Sequence, residues 1–333
     1  MRLLLAFVAV LLSFSAGATD SLIVYTWGGA YEQAQRETAF KPFSREFGIP
    51  IVTATANNLL AKVKAETEQG RSSLDIADMN VAQAINGCDE GLLRRVGRLF
   101  NPDDYVPGAV FPCGVAQNIW AQAIIVRPDE TSIRSAKDFF DPSIPGKRGL
   151  RKWPRVTLEM ALLGAGVPKD HIYDVLKTDA GLQLAFDTIR GIKDRIIWWG
   201  LGAQSAKLIA NREVVASTGF TGRILNLRKN EGLRDTKILW NAHERGFSVW
   251  TIPKNNPHPK LALQLLRFAT GPRNLRMNDV SAYASVRAHQ ANTNPDLPTY
   301  PANMRQGIAE DGEFWAEYGP EISRKFSAFL SGL

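Results

Sequence analysis

The sequence predicts an α/β protein with mostly parallel sheets, and three observations carry that prediction. Short β-rich runs alternate with stretches of helical spacing along the whole chain. The early helical stretches stop on glycines, at Gly48, Gly70 and Gly91, where helices commonly end. With 333 residues, 45% hydrophobic and 22% charged, the chain has the proportions of a folded protein of about two domains, which excludes disorder, collagen and coiled coil.

In order, Leu22–Trp27 reads as a strand that stops at Gly28-Gly29, and a polar helix runs from Tyr31 to Phe47. Ile49–Ala56 alternates and reads as the second strand. Asn57-Asn58 can cap a helix Leu59–Gln69, whose Leu60, Ala61, Val63 and Ala65 fall at helical spacing. Leu74–Met79 is a strand, Val81–Glu90 a helix, and Ile119–Val126 a long apolar strand running into Arg127-Pro128. The second half repeats this style. Helices are expected at Leu158–Leu163, Ile172–Lys177, Ala180–Ile192 and Ala203–Asn211, and strands at Arg195–Trp199, Val214–Thr218 and Phe247–Ile252. Lys260–Thr270 is amphipathic through Leu261, Leu265 and Phe268, and Gly312–Leu330 forms the last helix. There is no internal repeat and no low-complexity tract.

The N-terminus reads as a secretory signal peptide: Arg2, an apolar run Leu3–Leu12, then Ala16-Gly17-Ala18 in the small-x-small form of a cleavage site. Such a run is too short to cross a bilayer, which needs about 20 residues. The expectation is a soluble, exported protein cleaved after Ala18. In an oxidising compartment Cys88 and Cys113 form a candidate disulfide, favoured over two buried thiols.

A search for chemistry returns little. His171, His243, His258 and His289 form no i,i+4 pair and no Cys/His cluster, so no metal site is expected. There is no G-x-S-x-G elbow, no phosphate-binding G-x-x-x-x-G-K-[ST] loop and no C-x-x-C. No catalytic residue and no cofactor is expected. The net charge of +7 is basic without being extreme. Lys147, Arg148, Arg151, Lys152 and Arg155 form a cationic run. It reads as a nucleic-acid surface, which export disfavours, as a solvated face, or as cations at the mouth of an anion-binding cleft.

The positive signal is a set of aromatic and small polar residues at chain breaks: Trp27, Tyr31, Asn80, Trp120, Trp153, Phe220, Tyr283 and Trp315. In open α/β sheets ligands lie in the crevice outside the carboxyl ends of the strands, where flat rings can stack on a guest or face a cation. Core packing is the competing reading for each ring. Gly28-Gly29 before a helix could let backbone N–H groups meet an anion, or could be a plain turn.

The segments WGGAYEQ, NLLAKVKAETEQG, LDIADMN, CDEGLL, CGVAQNIWAQAI, PGKRGLRKWP, LEMALLGAGV, IIWWGLGAQ and GEFWAEYG resemble, in order and spacing, the substrate-binding proteins of ABC importers, in the branch labelled spermidine/putrescine-binding. The resemblance implies a two-lobed type II periplasmic binding protein with mostly parallel sheets, helices on both faces and hinge crossings between lobes. After residues 1–18, one lobe would hold residues 19–126 and 247–290, the other 127–246 and 291–333. Hinges would fall at Val126-Arg127, Gly246-Phe247 and Gln290-Ala291. It also strengthens the Cys88–Cys113 pairing.

By the same resemblance, Trp27, Tyr31, Asn80, Phe220, Tyr283 and Trp315 match an aromatic box for polyamines, while the expected carboxylates do not carry over. Trp153 and Val156 stand in place of an acidic pair, Ser248 in place of an aspartate, and Gly200 in place of an acid. Asp78, Glu159 and Glu244 are the remaining acids, and Arg155 and Arg223 could meet a carboxylate. The function expected is a monomeric periplasmic receptor that delivers a small amine such as putrescine or spermidine to an inner-membrane ABC permease. The alternatives are an amino acid, an opine or another zwitterionic or anionic solute, and an enzyme on the same fold.

Overall fold

The structure is a computed structural model and describes residues 21–55, 58–230, 235–280, 283–290 and 292–333. The expected signal peptide, the Asn57 half of the helix cap and Ala291 of the third hinge lie outside the described residues. Among those residues no helix is long and apolar enough to cross a membrane.

The fold is mixed α/β with a mostly parallel sheet, as predicted. The strands are β1 (Leu22–Tyr25), β2 (Ile51–Ala54), β3 (Ile76–Asn80), β4 (Val110–Phe111), β5 (Gly114–Val126), β6 (Arg148–Arg151), β7 (Ile196–Trp199), β8 (Ala216–Phe220), β9 (Lys237–Thr251) and β10 (Ile308–Ala309). They form one sheet in the order β2-β1-β3-β9-β5-β8-β6-β7, with β10 beside β9 and β4 beside β5. The triplets β2-β1-β3 and β7-β6-β8 are each parallel. Between them lies an antiparallel ribbon of β5 and β9, which pairs from Gly114↔Thr251 to Val126↔Lys237. β3 pairs with the Ser248–Thr251 end of β9. β8 pairs with the Gln122–Val126 end of β5.

The ribbon corrects two predicted boundaries. β5 starts at Gly114 rather than Ile119, and β9 starts at Lys237 rather than Phe247. Both extensions carry polar residues that alternation arguments reject, such as Gln117, Asn118, His243 and Glu244. They are buried because the ribbon has sheet neighbours and packed helices around it. The predicted helix Tyr31–Phe47 is Gly29–Gln35, a π turn at Arg36–Phe40, and Lys41–Phe47, closed by Gly48 in the left-handed conformation. Asn58 caps Leu59–Glu68 by accepting from the Ala61 N–H. The elements not predicted include β4, β10 and the helices Ala136–Phe139, Thr221–Asn230, Met277–Val280 and Pro301–Gln306.

Cys88 and Cys113 are bridged, with Cα atoms 5.6 Å apart and a sequence separation of 25. The bridge ties the helix Val81–Asp89 to the start of β5 within the cluster of Leu59, Val63, Leu74 and Met79. The largest core cluster lies against the helix Pro154–Gly164 and contains Tyr31, Trp120, Tyr283 and Trp315. Core packing therefore accounts for Trp120 and for three of the predicted box rings, Tyr31, Tyr283 and Trp315, as well as ligand contact would.

Candidate functional site

Trp27 follows β1, and the helix Gly29–Gln35 starts two residues later. Gly28 and Gly29 have φ of 68° and 61°, the left-handed region that suits glycine. A Cβ on Gly29 would stand 2.5 Å from Nη1 of Arg223. The glycines thus let a guanidinium from the helix Thr221–Asn230 approach the backbone, and Arg223 Nη2 donates to the Gly28 carbonyl at 3.3 Å. Trp27 is 37% exposed, while Tyr31, one turn on, is buried.

Both rings are organised by Asp78 of β3. Its carboxylate accepts from Tyr31 Oη at 2.6 Å, Gln35 Nε2 at 2.8 Å, Trp250 Nε1 at 3.0 Å and Trp27 Nε1 at 3.2 Å. Burial pushes the Asp78 carboxyl up to about 6, against the pull of those donors. The donors occupy this acid, so it anchors the box rather than waiting for an ammonium. Asn118 Nδ2 donates to Tyr31 Oη at 2.7 Å, and the Tyr31 and Tyr283 rings meet edge-on at 4.9 Å. Ser248 lies on β9 opposite Asn80 of β3 and Asn118 of β5. Asn80 caps the helix Val81–Asp89, its side chain accepting from the Gln83 N–H at 3.0 Å.

The opposite wall comes from the carboxyl ends of β6, β7 and β8. Arg151 ends β6, and its guanidinium lies 5.2 Å from the Phe220 ring centre, 5.5 Å from Trp153 and 5.6 Å from Trp199. Among the described residues no acid stands within ion-pair distance of Arg151 or Arg223, and the Nε of each lacks a hydrogen-bond partner. Burial, then the charges of Arg155 and Arg223, push the Arg151 guanidinium down to about 9. Trp153 is 41% exposed and, with Trp27, is the most accessible of these rings.

Arg155 and Val156 interrupt the first turn of the helix Pro154–Gly164 with non-helical backbone, and Val156 has φ 70° and ψ −40°. That conformation costs a β-branched residue on the order of 1–3 kcal/mol, and such strain gathers at functional sites. Arg155 stacks over Trp120 at 5.6 Å and is ion-paired to Glu310. Trp120 meets Phe220 edge-on at 6.1 Å. Trp315 Nε1 donates to Glu159 at 2.8 Å, below that layer.

The structure therefore brings Trp27, Tyr31, Ser248 and Tyr283 together on one wall, and Trp153, Arg155, Phe220 and Trp120 on the other. Trp315 backs the second wall, and the Asn80 side-chain oxygen is committed to its helix cap. The cationic run divides by strand alternation. Lys147 and Lys152 are exposed, Arg148 is fully buried, and Arg151 and Arg155 face the crevice rings. Sequence reasoning named Arg151 only within the cationic run that one reading placed at the mouth of an anion-binding cleft, and it missed Trp199, Gln35 and Gln122. The place of Arg151 at the carboxyl end of a strand, two residues before Trp153, was the available signal. A separate groove of about 1060 Å³ contains none of the predicted site residues, and Asp89, Arg245, Arg287 and His289 give its lining both charges.

With this geometry in place, comparison with known proteins is informative. The family model of the bacterial extracellular solute-binding protein matches residues 38–305. A gamma-aminobutyric acid-binding protein of Pseudomonas aeruginosa is 35% identical over 336 residues, covering 96% of this chain and 94% of that protein. A solved GABA receptor is 27% identical with a TM-score of 0.82, covering 93% of this chain and 97% of its own. The PBP MotA from A. tumefaciens B6, in complex with glucopine, is 25% identical with a TM-score of 0.84, covering 93% and 99%.

Proposed function

The chain belongs to the bacterial extracellular solute-binding protein family and is a substrate-binding protein of the ABC-transporter kind, and from that premise we propose that it captures a small zwitterion with a carboxylate end, a GABA-like amino acid or an opine, between Trp27 and Phe220. The observation that carries this reading is Arg151, a guanidinium ringed by Phe220, Trp153 and Trp199 with no acid in ion-pair range among the described residues. A half-buried charge whose Nε lacks a partner calls for a counter-ion, and Arg223 stands ready as a second donor. The solute carboxylate meets these two groups, and its ammonium end faces the exposed rings of Trp27 and Trp153.

Putrescine and spermidine fit less well. Asp78 is filled by four donors, Glu310 is paired with Arg155, and Glu159 and Glu244 are fully buried rather than presented beside the exposed rings. Each ammonium buried without a carboxylate costs several kcal/mol. The ligands named for the relatives above support the zwitterion over the polyamine.

Capture works by closure of two lobes without bond chemistry. The lobes expected from the sequence, 19–126 with 247–290 and 127–246 with 291–333, need one shift: Gln122–Val126 pairs with β8 of the second lobe, so the ribbon crosses near Ala121-Gln122 on β5 and near Gly246-Phe247 on β9. The solute contacts both walls and so favours the closed form. The protein works as a monomer in the periplasm after loss of residues 1–18 and hands the solute to its permease. A thermal-shift screen of GABA, other amino acids, opines, putrescine and spermidine tests the ligand class. A ligand at 100 times its dissociation constant adds about 2.7 kcal/mol, a clear upward shift in Tm. Stabilisation by polyamines alone would refute the zwitterion.

A further inference from the structure

Beneath Arg155 lies a group of acids that solute binding, as described above, does not use. Glu159 comes from the helix Pro154–Gly164, Glu244 from β9, and Glu310 from the segment after β10. Glu159 and Glu244 are fully buried, and the Glu310 side chain is 1% exposed. The cation among them is Arg155, bonded to Glu310. Around them stand Tyr173 from the helix Ile172–Leu176, Asp311 next to Glu310, Trp315 from the C-terminal helix, and Gln122 opposite Glu244 in the sheet. Both oxygens of Glu244, Oε2 of Glu159, Oε2 of Glu310 and both amide atoms of Gln122 lack a hydrogen-bond partner among the described residues.

Fully ionised, the trio would leave two uncompensated charges on buried oxygens that lack donors among the described residues, at a cost of several kcal/mol. Protons resolve this. A protonated carboxyl is a donor, and it can satisfy a neighbouring carboxylate or the Gln122 carbonyl. The trio thus holds protons whose number depends on the positive charge that Arg155 lends it.

We propose that Glu159, Glu244 and Glu310 form a proton-accepting trio behind Arg155, so that capture of a solute carboxylate draws a proton from solvent into the protein. This rests on the reading that the solute bears a carboxylate. Arg155 neighbours Arg151, and an anion there acts in two ways of the same sign. It brings negative charge toward the trio, and it competes with Glu310 for the Arg155 guanidinium. Both raise the proton affinity of the acids. Burial raises the proton affinity of all three acids above the ordinary carboxylate range, so the trio exchanges protons closer to neutrality than free carboxyls do. Among the other groups facing it, Tyr173 stays neutral, its hydroxyl raised by burial.

The test is titration calorimetry of GABA, or of the tightest zwitterion from the screen, at pH 7 in two buffers of small and large ionisation enthalpy. The expected result is a buffer-dependent heat that reports uptake of up to about one proton per solute, with affinity weakening several-fold from pH 6 to pH 8. Glu159→Gln and Glu244→Gln, each close in shape to the acid it replaces, should shrink the uptake and flatten the pH profile. Binding with the same heat in both buffers overturns the proposal by itself, as does uptake that survives both substitutions. Failure of every zwitterion to bind overturns the solute reading instead, and this inference with it.

Discussion

Replacing Arg151 with methionine should remove solute capture while leaving the empty protein as stable as before, or more so. Burial and the charges of Arg155 and Arg223 push this guanidinium far below its ordinary value, to about 9. At about 1.4 kcal/mol per unit, its charge is disfavoured by at most about 5 kcal/mol. Contacts with the rings of Phe220, Trp153 and Trp199 offset part of that, roughly 0.5–1 kcal/mol each. Methionine keeps the apolar bulk and discards the charge, so the Tm of the empty protein should hold or rise. In the complex the same substitution strips the solute carboxylate of a buried charged donor, which costs about 2–4 kcal/mol. The dissociation constant should rise by about 30- to 1000-fold. Differential scanning fluorimetry without solute and calorimetry with it measure the two halves. A Tm several degrees lower, with affinity changed less than about threefold, would show that Arg151 serves the fold and refute the reasoning.

Arg148, three residues earlier, should behave in the opposite way. Its buried guanidinium donates to the carbonyls of Phe139 at 3.1 Å, Ile144 at 3.0 Å, Pro145 at 3.1 Å and Gly146 at 2.6 Å. Arg148→Met orphans those carbonyls, so it should lower unfolding free energy by about 3 kcal/mol in urea and leave solute affinity within twofold. Removing the disulfide by Cys88→Ser with Cys113→Ser should cost about 3 kcal/mol for a loop closed at a separation of 25, seen as a lower urea midpoint. Asp78 gives a signed pH effect, because burial lifts its folded value to about 6 from 3.8. Below about pH 4 the folded and unfolded forms are both protonated. Between about 4 and 6 the unfolded chain ionises first and stability falls by up to about 3 kcal/mol, then levels off above 6. The gap in unfolding free energy between the wild type and Asp78→Asn should follow that curve. A gap independent of pH would place the titration elsewhere.

The alternation of short strands and helices was enough to read the fold class, because each parallel strand is an apolar run closed by a turn. The ribbon was half legible. Ile119–Val126 and Phe247–Thr251 announce themselves, whereas Gln117, Asn118, His243 and Glu244 are polar yet buried, held by partners distant in sequence. The box rings were legible at chain breaks, but not which of them would be core. Tyr31 and Trp315 are buried because Asp78 and Glu159 take their polar atoms, and Glu159 lies 156 residues from Trp315. Arg151 hid inside a run of cations. Only the placement of β6 separates it from Arg148, since residues an odd number apart on a strand point to opposite faces. The helix Thr221–Asn230, which delivers Arg223, carries no apolar stripe that sequence spacing could find.

The position of β9 between β3 and β5 has a consequence for how the molecule is made. When Ile76–Asn80 leaves the ribosome, the strand that will cover its edge, Ser248–Thr251, has not been synthesised. The first quarter of the nascent chain therefore carries an open hydrogen-bonding edge for most of translation. Sheet completion waits for a segment more than 160 residues downstream, since Met79 pairs with Val249. Such distant pairing makes folding slow and late.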